Sequence, residues 1–205
     1  MNLKSIDQSR LKFSYLKKLI TYQIDSGLNE FSDLTSTVPS VKELEGYGFV
    51  EDTFTFNHSF NTVFDQYVLS NPNETWNSGG LISFGLALDK KTEIIYYPGD
   101  SYPGASEGQI LYLHSSILGL KKICMAQEVV TVSKEKQLIE FSYVKDGMTE
   151  GVQQISFTSI GDNKTVVSHV SRFKGVSSFR DIFYPFFHSL IISKFHQNLK
   201  KSLNP

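Results

Sequence analysis

From Ser177 to Leu203 the chain places Phe179, Ile182, Phe183, Phe186, Phe187, Leu190, Ile191, Phe195 and Leu199 at spacings of three and four. That spacing predicts one long helix with a wide apolar face. Ser177 or Ser178 suits its N-cap, Asp181 suits the positive end of the dipole, and Lys194, His196, Lys200 and Lys201 suit the negative end. Asn204 and Pro205 stop it. Pro185 conflicts with the pattern, because an interior proline removes one hydrogen bond and clashes with the preceding turn. A kink near Asp181 to Tyr184 is therefore expected. Phe183, Tyr184, Phe186 and Phe187 crowd that point, either as core or as one wall of a ligand pocket. A long helix with such a face needs a large apolar partner, which constrains everything before it.

That partner reads as a sheet. Phe49 to Asn57 alternates as a half-buried strand, with Val50, Phe54 and Phe56 on one side and Glu51, Thr53 and Thr55 on the other; Phe49 and Asp52 break the pattern. Ser59 caps a short helix whose apolar face is Phe60, Val63, Phe64 and Tyr67, ended by Asn71-Pro72-Asn73. Further strands are expected at 81–88, 93–97, 108–117, 122–132, 137–145, 151–160 and 164–173. Short polar turns separate several of them, so neighbours run antiparallel. The last strand is ambiguous: either Val167, His169 and Phe173 or Val166, Val170 and Arg172 face inward. The stretch from Pro98 to Gly108 reads as a long loop at the edge of the interior.

Residues 1–46 are expected to form a separate unit, an amphipathic helix striped by Phe13, Leu16, Ile20 and Ile24 followed by a polar linker, with the main domain at 47–205. That helix suits docking on its own domain or a homodimer contact, and its lysines also suit an anionic membrane surface. The net charge of −1 and the lack of a basic surplus argue against nucleic acid. No segment is long and apolar enough to span a membrane, and no signal-peptide core is present, so a cytoplasmic protein is expected. The single Cys124 excludes an internal disulfide and a multi-cysteine metal site, and its apolar setting suits a buried thiol.

The order strand, helix, antiparallel strands, long helix, with the passage Phe-Thr-Phe-Asn-His-Ser-Phe-Asn-Thr-Val-Phe-Asp at 54–65, resembles the START-like, or Bet v 1-like (SRPBCC), superfamily over residues 48–203. The last hundred residues are similar to the uncharacterised bacterial family DUF1990, in Gly108-Gln-Ile-Leu-Tyr-Leu with Leu118-Gly-Leu, in Phe141-Ser-Tyr143 followed by Gly147 and Glu150-Gly151, and in Ser171-Arg172-Phe before the final helix. Met148 stands where that family tends to have a histidine, and Gln153 and Gln154 stand where it has acidic residues. The resemblance implies an α+β helix-grip fold, a curved sheet of about seven strands around the C-terminal helix with an extra N-terminal helix. It also implies a small hydrophobic or amphipathic ligand, lipid-like or polyketide-like, and in some members cyclase or hydratase chemistry.

No His, Cys or carboxylate set has metal-ligand spacing, no cofactor is implied, and no nucleophile elbow or phosphate loop occurs. No catalytic residue is assigned. The residues expected to line the interior are Tyr112, His114, Phe141, Tyr143, Phe157, His169 and Arg172 on strands and Phe183, Phe187 and His188 on the helix. Arg172 is the expected polar anchor, since a guanidinium forks onto a carboxylate or phosphate. The expected function is binding of a small apolar or amphipathic ligand between sheet and helix. An enzyme using the same pocket and an unliganded interaction protein are the alternatives.

Overall fold

Eight strands form one curved antiparallel sheet. They are β1 (Gly48–Phe56), β2 (Ile82–Asp89), β3 (Ile95–Tyr96), β4 (Gln109–Ile117), β5 (Lys121–Ser133), β6 (Leu138–Tyr143), β7 (Thr149–Ser159) and β8 (Thr165–Gly175). The helices are α1 (Ser14–Asp25), α2 (Phe60–Leu69), the single turn α3 (Pro72–Thr75) and α4 (Ser178–Leu203). The computed structural model describes residues 1–37, 44–78, 80–117, 121–145, 149–175 and 178–204, and side chains for all of these but 117, 121, 122, 175 and 178–184.

Spatial order is β1-β8-β7-β6-β5-β4-β2-β3. After β1 the chain crosses through α2 and α3 to the far edge, then meanders back until β8 pairs with β1. Ser59 caps α2, its Oγ accepting from the Thr62 N–H at 3.4 Å. Asn71 does the same for α3, where Pro72 occupies the first turn and needs no partner for a missing N–H. Helix α4 then lies over β1 and β8, held against α2 and α3. It runs unbroken through Pro185. This is the helix-grip arrangement.

Because strand side chains alternate, the sheet has two distinct faces. On the concave face, Phe56, Phe84, Leu111, Leu113, Val129, Ile139, Phe141, Ile155, Phe157 and Val167 pack against Val63, Phe64 and Tyr67 of α2, Trp76, and Ile192, Phe195 and Leu199 of α4. The convex face carries a second core. Leu86, Leu88, Ile110, Tyr112, Cys124 and Ala126 pack against Leu3, Ile6, Leu11, Leu16, Ile20, Phe31 and Leu34. Residues 1–34 therefore cover the back of β2, β4 and β5, and the apolar stripe of α1 is buried on its own sheet. Gly85 makes the seat: at the β2 bulge, a Cβ there would stand 2.5 Å from Leu16 Cδ2. Glu128 ties the layer further, accepting from Lys90 Nζ at 2.8 Å and from Ser36 Oγ at 2.7 Å.

The apolar stripe expected on the last helix is rotated. Phe195 and Leu199 point inward as expected, but Phe186 is 68% exposed and Leu190 is 40% exposed. The inward line is instead His188, Ile192, Phe195, His196 and Leu199. The loop from Pro98 to Gly108 is tied at several points. Ala105 N–H donates to Val68 O at 2.7 Å, Tyr102 Oη to Gln109 Oε1 at 2.6 Å, and Gln109 Nε2 to Gly104 O at 3.1 Å.

Candidate functional site

Part of the concave face is closed by rings. Phe157 on β7 meets Phe64 and Tyr67 of α2 edge-on at 5.2 and 5.0 Å, and Trp76 stacks on Phe195 at 4.2 Å. Next to this aromatic end, polar side chains take positions that the strand pattern would otherwise fill with apolar ones. Gln127 stands opposite Tyr143 across β5 and β6. Gln153 stands opposite Ser171, and His169 opposite both Ile155 and Asp52. From α4, His188, Ser189 and His196 come down onto them.

These groups join into one chain. Tyr67 Oη lies 2.5 Å from His196 Nδ1, His196 Nε2 lies 2.9 Å from His169 Nδ1, and His169 Nε2 lies 3.1 Å from Gln153 Oε1. Gln153 Nε2 then donates to Tyr143 Oη at 2.9 Å. All five side chains are buried; His169 and His196 are each 1% exposed. Aromatic contacts frame the imidazoles. Phe54 stacks on His196 at 3.8 Å, and His188 meets His169 edge-on at 5.7 Å. Ser189 Oγ donates to Asp52 Oδ2 at 2.9 Å beside them.

Burial removes the water that would solvate a charged imidazole, so it holds all three histidines neutral. His188 is pulled down to about 4 and His196 to about 3, the latter also opposed by His188. His169 lies well below its ordinary value, through burial first and its two histidine neighbours second. Burial likewise pushes the Tyr67 phenol well up, so it keeps its proton.

The direction of the chain follows from this. Among the described residues the Tyr67 hydroxyl has one acceptor, His196 Nδ1, so that nitrogen is bare. Neutral His196 then carries its proton on Nε2 and donates to His169 Nδ1. Neutral His169 in turn donates from Nε2 to the Gln153 carbonyl, and the Gln153 amide donates to Tyr143. Reversed, the same contacts would leave the buried Tyr67 proton without an acceptor, at a cost of about 1–3 kcal/mol. Beside Tyr143, the Oε1 of Gln127 is buried with no hydrogen-bond partner, in a residue only 2% exposed.

The ten residues expected to line the interior divide by face. Phe141, Tyr143, Phe157 and His169 lie on the concave side, and His188 faces them from α4. Phe187 is half-buried and meets Phe186 edge-on at 5.3 Å. Tyr112 and His114 lie on the opposite face. Tyr112 Oη donates to Gln23 Oε1 at 2.8 Å, and His114 stacks on Phe13 at 4.3 Å. Arg172 is also on the convex side, its guanidinium 5.2 Å from the centre of the exposed Phe49 ring. It is three residues from His169, an odd step along a strand, so the two cannot share a face. The Phe183 side chain lies outside the described residues. From the sequence none of Tyr67, Gln127, Gln153 and His196 falls in the site: Tyr67 reads as apolar face of the short helix, His196 as a group at the negative end of the last helix, and Gln153 as a departure from the DUF1990 pattern. Gln153 carried a readable signal, being polar on the row that Ile155 and Phe157 continue. His196 carried another, standing two turns and a little more beyond His188 on the same inward line.

Among the described residues no His, Cys, Asp and Glu group has the arrangement to hold a metal ion. No described helix is long and apolar enough to cross a membrane.

No family model and no curated protein sequence matches the chain. Solved structures do. Norcoclaurine synthase from Thalictrum flavum, in complex with dopamine and hydroxybenzaldehyde, is 14% identical over 83% of this chain and 95% of that one, with a TM-score of 0.56. A START superfamily protein from Mycobacterium smegmatis is 12% identical over 78% of this chain and 98% of that one, at 0.55. The ginseng major latex-like protein 151 from Panax ginseng is 12% identical over 78% of this chain and 99% of that one, also at 0.55. Identities this low establish a shared fold, that of START-like and Bet v 1-like proteins.

Proposed function

We propose that this protein binds a small amphipathic molecule between the concave face of its sheet and α4, with the polar chain meeting the polar end of the ligand. One observation carries this reading: five connected polar side chains are buried where an ordinary core would be apolar. Burying polar groups is costly unless they are paired, and departures from the strand pattern concentrate where something is bound. The likeness of fold to a synthase solved with dopamine and hydroxybenzaldehyde supports the same volume as the binding place. The short motifs shared with DUF1990 fit this fold and add no activity.

A second reading has its own support. Two neutral imidazoles, one of them bonded to the Tyr67 hydroxyl, form a short path for successive proton transfers, as general acid–base chemistry of a cyclase or hydratase type needs. A homodimer through α1 would use its outer residues, Tyr15 and Tyr22, since Leu16 and Ile20 are buried.

Native mass spectrometry of protein purified from cells, with titration of 2-methylnaphthalene followed by Trp76 fluorescence, tests the binding reading. A releasable adduct or saturable quenching is expected. Apoprotein alone together with no response to the probe would overturn it.

A further inference from the structure

We infer that the ligand presents an uncharged hydroxyl, an alcohol or a phenol, to Gln127, rather than a carboxylate or phosphate. This deepens the binding reading above and rests on it. The Oε1 of Gln127 is a buried acceptor without a donor among the described residues. Such an atom is stable only when something brings it a proton, and the cost of leaving it unmet is large on the scale of ligand binding. Its neighbour across the strand pair is Tyr143, the end of the polar chain towards which every donated proton points. The polar end of the interior is therefore built of neutral groups: an amide, a phenol, a second amide, and imidazoles held uncharged by burial.

An anionic head meets this arrangement badly. It carries no proton to give Gln127 Oε1, and even with the amide turned over to donate, a buried anion finds only neutral groups to replace its water. Among the described residues no cation lines the concave face to offset its desolvation. Arg172 lies on the convex side, and the residue opposite His169 on β1 is Asp52, an acidic side chain that repels an anion. A hydroxyl answers the amide in either orientation, since it both donates and accepts. The rest of the ligand would lie on Phe141 and the rings beyond it.

The test uses three probes of one size on the wild-type protein, 2-naphthol, 2-naphthoate and 2-methylnaphthalene, followed by calorimetry, and repeats them on Gln127→Leu. The wild type should bind 2-naphthol about tenfold tighter than either other probe, the scale expected for satisfying one buried polar group. Gln127→Leu should abolish that preference, bringing 2-naphthol to the affinity of 2-methylnaphthalene. Equal affinity for 2-naphthol and 2-methylnaphthalene would mean that water alone serves Gln127, and would overturn this inference while the binding reading stands. Tighter binding of 2-naphthoate would overturn it in the same way. Failure of all three probes to bind would remove the binding reading itself. The wild-type comparison decides the matter even if the variant does not fold.

Discussion

His196 Nε2 lies 2.9 Å from His169 Nδ1, joining the last helix to the last strand through two buried imidazoles. The bond crosses the interface between the two layers of the fold, so it reports on whether helix and sheet are seated together. It also requires one specific pair of tautomers.

Both histidines should be the neutral tautomer with the proton on Nε2. Long-range proton–nitrogen correlation spectra at neutral pH identify it directly. Protonated Nδ1 on either ring would reverse the chain described above. Tyr67→Phe removes the first donor and leaves a bare buried nitrogen on His196. It should reduce the unfolding free energy by about 1–3 kcal/mol in denaturant titration. A change within experimental scatter would mean that the hydroxyl is not holding that ring.

Acid should destabilise the fold well before carboxylates titrate. His169, His188 and His196 have lower proton affinity in the native state than their ordinary value of 6.5. Between that value and about 4, the unfolded chain takes up protons that the native state refuses. Protonation therefore favours unfolding, and stability falls as pH falls through this window. Each histidine contributes about 1.4 kcal/mol per pH unit there, and nothing above about pH 7. The thermal midpoint should drop steadily from pH 7 to pH 5; a midpoint that stays level would contradict the burial of these rings.

Residues 1–34 should behave as part of the domain and not as an appendage. Leu16→Ala opens a hole in the convex core and should cost about 2–5 kcal/mol. Gly85→Ala drives a methyl into Leu16 and should loosen the same segment. Limited proteolysis reads the second effect as earlier cutting within residues 1–34. Wild-type resistance in both variants would show that the contact carries little.

Cys124 should be inert in the native protein. Burial pushes its thiol up to about 12, so thiolate is scarce at neutral pH. A thiol reagent such as DTNB should react fully only after denaturant is added. Rapid stoichiometric labelling of native protein would show this part of the convex face open.

Much of the fold was legible because period and punctuation agree. The expected strand at 108–117 and the helix expected from Ser177 to Leu203 lie within one residue of the observed Gln109–Ile117 and Ser178–Leu203, since turn residues and apolar spacing mark the same limits. The covering of both faces was less legible. The stripe on α1 reads identically whether it docks on its own sheet, on a partner or on a membrane. The site was read only in part because strand parity was left open in β8. His169 and Arg172 were both taken as lining, although alternation allows one or the other. The interruption at Asp52 was a true signal, since that residue faces inward and accepts from Ser189. Gln127 gave little warning, because β5 carries a bulge between Val129 and Thr131 that shifts its alternation midway.

Asn198 moors the far half of α4, its amide donating to the carbonyls of Thr75 and Asn77 at 3.0 Å each. Lys200 adds a third line to Thr55 O at 3.1 Å. The floor beneath is stiffened from behind by the first thirty-odd residues. These moorings fix the turn that carries His196, so its imidazole is held over His169 by the backbone as well as by its own hydrogen bond.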